Sequence, residues 1–159
     1  MGAKLGFVTP TLMQVFEFFL EEPSKEYHER EVVRKTGVSK GSAGKILKLL
    51  TNLGFLTRQE KGRLAIYRLK QDEATVKQFK VLLNVFTLKP LSDMLKDNSK
   101  RIMLFGSCTQ GLDTKDSDID LLIVTDKKET ASKAISDFNK KSQRRVAPIT
   151  VNMNEYISL

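Results

Sequence analysis

The stretch LFGSCTQGLDTKDSDIDLLIV, residues 104 to 124, concentrates the side chains of this sequence most suited to chemistry. Asp118 and Asp120 stand two apart in an apolar run that reads as a β-strand. A period of two puts both carboxylates on one face, a few ångströms apart. Like charges that close repel strongly unless a cation lies between them. The pair therefore points to a divalent metal with oxygen ligands, Mg²⁺ first and Mn²⁺ as its substitute. Upstream, Gly106 and Ser107 end the apolar run RIMLF in a turn where bare backbone and a hydroxyl can cradle phosphate oxygens. No Gly-Lys-Ser/Thr follows, which excludes the phosphate loop of P-loop ATPases. Asp113 and Asp116 read as turn residues whose side chains satisfy local backbone groups.

These residues need a sheet to hold them. RIMLF and DIDLLIV read as two strands able to pair, with GSCTQGLDTKDS as the polar segment between them. KKETASKAISDFNKKSQ follows as a helix with Ala131, Ala134, Ile135 and Phe138 facing inward, and RRVAPITVNM is the next strand. Ahead of them, residues 72 to 96 carry Val76, Phe79 and Leu83 at helical spacing, widened by Val81, Leu82, Val85 and Phe86. Asp72 and Glu73 suit the start of that helix. Pro90 predicts a break in it or the beginning of a second short helix. Such a helix needs a partner, either the sheet that follows or a second copy in a homodimer.

Gly106-Ser107, ten residues, then Asp118-Ile119-Asp120 in an apolar setting resembles the signature of the DNA polymerase beta-like nucleotidyltransferase superfamily, especially its minimal single-domain members. The resemblance implies that Gly106 and Ser107 hold nucleoside triphosphate phosphates while Asp118 and Asp120 hold Mg²⁺ and form the catalytic pair. Active members use a third carboxylate on a later strand. RRVAPITVNM contains no acid, Thr150 or Asn152 is expected at the matching place, and Glu155 comes only after the strand. Losing that carboxylate weakens metal binding and nucleophile activation together. Cys108 stands where many minimal members carry a larger, often basic residue, and with no His available it is not read as a nucleophile. The six residues after Met153 leave little room for an acceptor-binding element.

The first part of the chain reads differently. TPTLMQVFEFFL places Leu12, Val15, Phe16 and Phe19 at i, i+3, i+4 and i+7, with Thr9 as N-cap and Pro10 in the first turn. EREVVRKTG predicts a second short helix stopped by Gly37. A third, capped by Ser39 and ended by Gly54, turns Ile46, Leu49, Leu50 and Leu53 inward. Its opposite face then carries Lys40, Gly41, Gly44, Lys48 and Thr51, with Lys45 on the flank. FLTRQ and RLAIYRL read as strands joined at EKGR, with Gly62 in the turn. His28 is expected at a loop or helix edge with no role.

Residues 9 to 70, above all KTGVSKGSAGKILKLLTNLGFLTRQEKGRLAIYRL, resemble a winged helix-turn-helix domain. The resemblance implies that the third helix enters the major groove of double-stranded DNA. Arg58, Lys61, Arg63 and Arg68 would clamp the flanking phosphates. Two glycines on the exposed helix face allow close approach but read no base edges, so modest sequence specificity is expected.

Charge agrees with two modules. Of the 27 Lys and Arg and 19 Asp and Glu, residues 1 to 96 hold 17 against 10 and residues 97 to 159 hold 10 against 9, giving +7 and +1. A composition 40% hydrophobic and 29% charged predicts a folded chain. One Cys excludes an intrachain disulfide and, with one His, a zinc finger. No run approaches the roughly 18 apolar residues of a membrane span. MGAKLGFVTP lacks the apolar block of a signal peptide, so the cytoplasm is expected. The fold class read from all this is α+β, a winged helix-turn-helix over 1–71 and a small mixed-sheet nucleotidyltransferase-like domain over 72–159. The function expected is a DNA-binding regulator whose second domain binds Mg²⁺ and nucleotide. The alternative is an active minimal nucleotidyltransferase moving a nucleoside monophosphate to a protein, nucleic acid or small-molecule hydroxyl. A third reading is an antitoxin-like partner of a separate toxin.

Overall fold

A computed structural model describes residues 6–158; the start of the segment read above for a signal peptide, residues 1 to 5, and Leu159 lie outside the described residues. The chain divides into two compact units, Met1–Val76 and Lys77–Leu159.

In the first unit, α1 (Pro10–Glu21) begins where the Thr9 hydroxyl accepts a hydrogen bond from the Leu12 amide at 3.2 Å, with Pro10 needing no donor at the first position. Leu12, Val15, Phe16 and Phe19 are all buried, as their spacing requires. Strand β1 (Glu26–His28) has only three residues, too few to show an alternation, and was not legible in the sequence. Helix α2 (Glu29–Thr36) stops at Gly37, whose φ of +72° supplies the left-handed cap. Its N-cap is His28: the ring accepts from the Glu31 amide and the Glu31 carboxylate accepts from the His28 amide, a reciprocal capping box. A residue expected to have no role thus starts a helix.

Helix α3 (Lys40–Asn52) is capped by Ser39 as expected, but its phase differs from the one read above. Ala43, Leu47 and Leu50 form the buried stripe, while Ile46 and Leu49 are only half-buried and Leu53 is 37% exposed. Hydrophobic size favours Ile46, Leu49 and Leu53 for the inner face, whereas the small Ala43, fully buried, lets α3 pack closely on its neighbours. Strands β2 (Leu56–Lys61) and β3 (Leu64–Leu69) form a hairpin across Gly62 and Arg63, with Gly62 at φ +63°. The sheet runs β1-β3-β2, antiparallel throughout. Phe16 stacks on Phe55 at 5.2 Å between ring centres, and Tyr27 lies against Phe18 and Phe19. The Tyr27 hydroxyl donates to Glu22 at 2.8 Å, and burial pushes its pKa up.

Helix α4 (Ala74–Leu95) has 22 residues, about 33 Å of helix. It continues through Pro90, correcting the expected break. Proline deprives the carbonyl four residues earlier of its partner, and that residue, Phe86, is 62% exposed on a side where water can take over.

Beyond it, β4 (Arg101–Phe105) pairs antiparallel with β5 (Ile119–Val124), and β5 pairs in parallel with β6 (Val146–Val151). Helix α5 (Lys128–Asn139) is the crossover that a parallel pair requires. Helix α6 (Met153–Ile157) follows, capped by Asn152. Leu88, Leu91 and Leu95 of α4 and Ala131, Ala134 and Ile135 of α5 join Ile119, Leu121 and Ile123 of β5 in one core with Val146 and Cys108. The odd-numbered side chains of β5 therefore face the helices, and the even-numbered ones, Asp120 included, face away from them. No helix of the described residues is long and apolar enough to cross a membrane.

Candidate functional site

The β4–β5 register brings the two clusters together. Phe105, the last residue of β4, is the antiparallel partner of Asp120. Gly106 follows at φ +71°, opening a short 3-10 turn, Gly106–Thr109. A Cβ built on Gly106 would fall well inside contact distance of the Asp120 carboxylate oxygen and 3.3 Å from its Cγ. The Asp120 carboxylate therefore lies directly against the Gly106 backbone, and only glycine satisfies both the left-handed φ and the close approach. Ser107 is half-buried; its carbonyl accepts from the Gln110 and Leu112 amides, both at 3.1 Å. Its hydroxyl makes no hydrogen bond among the described residues.

Asp118 is exposed and sits one residue ahead of β5, and its carbonyl accepts a weak hydrogen bond from the Cys108 thiol at 3.7 Å. Asp120 is half-buried within the strand. Among the described residues no three His, Cys, Asp or Glu side chains converge as a ready metal site. The Asp120 carboxylate against the glycine turn, with Asp118 two residues before it, offers the kind of oxygen donor that Mg²⁺ takes, since that ion keeps several of its waters and few protein ligands.

The β5–β6 register corrects the expectation for the neighbouring strand. Ala147 is the parallel partner of Asp120, Ile149 of Leu122, and Thr150 of Ile123. Partners share a face, so Thr150 belongs to the face turned to the core and Ala147 stands beside Asp120. Asn152 lies past the strand and caps α6, where Glu155 closes the capping box and accepts from Lys128 at 2.7 Å. The Lys128 bond and the Asn152 amide hold the Glu155 carboxyl below its usual range.

Asp113 is also corrected. Rather than satisfying local backbone groups its side chain is buried, and the carboxylate accepts from Arg144 Nη1 at 2.9 Å and Asn84 Nδ2 at 3.1 Å. Lys80 donates to the Asp113 carbonyl and its ammonium lies 3.8 Å from the carboxylate. Burial lowers the pKa of Lys80 and raises that of the Cys108 thiol beside it. Arg144 also donates to Asn84 Oδ1 at 2.8 Å, to Cys108 Sγ at 3.2 Å and to the Ser117 carbonyl at 3.2 Å. Lys80, Asn84 and Arg144 escaped the sequence reading. Lys80 and Asn84, four apart and interrupting the apolar run of residues 79–86, were the signal available.

In the first unit Lys40, Gly41, Lys45 and Lys48 are exposed along α3, with Ser39 at its amino end. Gly44 is not on the open face: it is half-buried, and a Cβ there would meet the Glu29 carboxylate at 3.6 Å. Arg58 pairs with Glu60 at 2.9 Å and Lys61 with Glu26 at 2.6 Å, so two hairpin cations already face carboxylates. Among the described residues Lys40, Lys45, Lys48 and Arg63 make no ion pair, whereas Arg68 stands opposite Glu26 in the sheet; Lys61, aided by Arg68, holds the Glu26 carboxyl below the usual range.

No curated protein matches this chain. Residues 87–157, the part that holds Gly106, Ser107, Asp118 and Asp120, match the family model described as the nucleotidyltransferase domain.

Proposed function

We propose that this protein is a DNA-binding regulator whose C-terminal domain, over 72–159, binds a nucleoside triphosphate together with Mg²⁺. The observation that carries the nucleotide half is the contact between Asp120 and the Gly106 backbone. It joins a phosphate-cradling turn and a metal-binding acid at one sheet end, within the segment that matches the nucleotidyltransferase family model. Gly106 and Ser107 offer backbone and hydroxyl to the phosphates, and Asp118 and Asp120 hold the cation. Mg²⁺ held there would supply neutralisation of the phosphate charge. Mn²⁺ fits the same oxygen ligands.

Binding is favoured over transfer because Ala147, a methyl group, stands beside Asp120. An attacking hydroxyl there would find no further carboxylate on β6 to orient it or take its proton.

For the first domain, over 1–71, the succession of three helices and a hairpin, with the short β1 completing the sheet, supports a winged helix-turn-helix. Ser39, Lys40, Gly41, Lys45 and Lys48 on α3 and Arg63 and Arg68 on the hairpin form its surface for double-stranded DNA. Arg58 and Lys61 contribute less, each being partnered. Phosphate contacts dominate such a surface.

Calorimetric titration of Mg²⁺ or Mn²⁺ with ATP tests the nucleotide half: binding that disappears in Asp118→Asn/Asp120→Asn is expected, and no heat in the wild type overturns it. Incubation with labelled triphosphate and Mg²⁺ separates binding from transfer. Label moved to the protein or a partner by the wild type, and lost in the double variant, would establish the active transferase instead.

A further inference from the structure

The two halves of the Gly106–Asp120 site are separated by ten residues of loop, and one side chain touches that loop at both ends. Arg144 Nη2 donates to Cys108 Sγ at 3.2 Å, one residue after Ser107. Its Nε and Nη2 donate to the Ser117 carbonyl at 3.3 and 3.2 Å, one residue before Asp118. Its Nη1 reaches the Asp113 carboxylate in the middle, and Asn84 on α4.

The arginine is itself held from behind. Its amide donates to the Ser142 hydroxyl at 3.2 Å, and the Arg145 carbonyl accepts from the Ile119 amide of β5 at 2.8 Å. Val146 exchanges two hydrogen bonds with the Asn139 side chain. The backbone that carries Arg144 is therefore tied to β5 and to α5, and the guanidinium enters the loop from a fixed base. Its side chain is 19% exposed and that of Asp113 is 4% exposed, so these charge-assisted bonds are largely shielded from water.

Resting on the nucleotide-site reading, we propose that Arg144 is the positioning residue of this site: by gripping the loop at Cys108, Asp113 and Ser117 it sets how far Ser107 stands from Asp118. Only a guanidinium serves. Its planar fork meets several acceptors at once, whereas an ammonium is a point donor that cannot span Cys108, Ser117 and Asp113 together. Asp113 and Lys80 complete the arrangement by pinning the loop's midpoint to α4. Without Arg144 the loop keeps its anchors to α4 at Cys108 and Asp113, but beyond the strand pairing its two ends are linked by no more than the weak bond from the Cys108 thiol to the Asp118 carbonyl, so the spacing of Ser107 and Asp118 loosens.

The test compares wild type with Arg144→Lys by hydrogen–deuterium exchange and by Mn²⁺ titration, with and without ATP. The expected result is protection of β4, β5 and β6 as in wild type, exchange in 106–118 faster by about tenfold, and Mn²⁺ affinity lower by about 10- to 100-fold, the usual effect of losing a residue that orients metal ligands. Exchange in 106–118 equal to wild type overturns the proposal, as does a loosened loop with unchanged Mn²⁺ affinity. A purely structural arginine would instead loosen all three strands together. Should Arg144→Lys fail to fold, Asp113→Asn keeps the arginine and its bonds to Cys108 and Ser117 while weakening the central bond together with the Asn84 and Lys80 contacts to the same carboxylate; a smaller rise in the same loop's exchange is expected, and none overturns the proposal. A wild type that binds no Mn²⁺ at all would refute the nucleotide-site reading, and the exchange arm alone would then decide whether Arg144 holds the loop.

Discussion

Replacing Gly106 by alanine tests the contact on which the nucleotide site rests. At φ +71° a residue with a Cβ sits in the left-handed region, a penalty of roughly 1–2 kcal/mol. The new methyl would also overlap the Asp120 carboxylate, with Cγ at 3.3 Å and an oxygen closer still. That side chain can yield only by leaving its rotamer, which costs about 0.5–1.5 kcal/mol. Gly106→Ala should therefore destabilise the C-terminal unit by about 1.5–3.5 kcal/mol. At about 4–8 °C per kcal/mol for a unit of this size, its melting falls by roughly 6–28 °C. Amide exchange in β5 reads this unit separately from the first. The same substitution in an Asp120→Ala background retains the backbone penalty but not the overlap, because the Asp120 Cβ lies at an ordinary 3.5 Å. A coupling of about 0.5–1.5 kcal/mol is expected from that cycle. Zero coupling, or a Gly106→Ala protein as stable as wild type, would refute the packing of Asp120 on Gly106 and the site with it. Gly111→Ala is the harsher control, since its Cβ would meet backbone, the Lys77 Cα at 2.7 Å, which has no rotamer to yield.

Three further outcomes are expected. Changing Lys40, Lys48 and Arg63 to Glu should abolish binding to duplex DNA in a gel or anisotropy assay, while Arg58→Glu and Lys61→Glu weaken it less because Glu60 and Glu26 already face them; wild-type affinity should fall steeply with salt, and binding retained by the triple variant would place the DNA surface elsewhere. Ala147→Asp should set a third carboxylate beside Asp120 and tighten Mn²⁺ binding in calorimetry, and unchanged binding would mean that Ala147 does not border the site. Glu155 titrates below the usual glutamate range because Lys128 and the Asn152 amide favour its charged form; its contribution is thus present above the ordinary glutamate range and lost as pH falls through the lower folded value, and in Lys128→Met the Glu155 pKa, followed by carboxyl NMR, should move back up toward the ordinary range.

The sequence by itself determined what depends on near neighbours. The Thr9 cap, the buried face of α1, the Gly37 stop, the Gly62 turn and the strand patterns of RIMLF and DIDLLIV each involve residues only a few positions apart, where steric and hydrogen-bonding preferences act whatever the rest of the chain does. The Gly-Ser and Asp-Ile-Asp clusters were legible for the same reason, as residue types at fixed spacing. The phase of α3 escaped because hydrophobic size does not say which side of a helix its neighbours approach, and packing chose small Ala43.

Only the tertiary structure decided the rest. Which residue of β6 lies beside Asp120 depends on how α5 returns the chain to the sheet, and a shift of one position exchanges Thr150 for a neighbour on the opposite face. Asp113 could not be seen as buried from its own polar surroundings, because its partners Asn84 and Arg144 are 29 and 31 residues away. A charge leaves water only where opposite charge and donors already wait for it, and the long-range packing of α4 and the α5–β6 connection supplies them here.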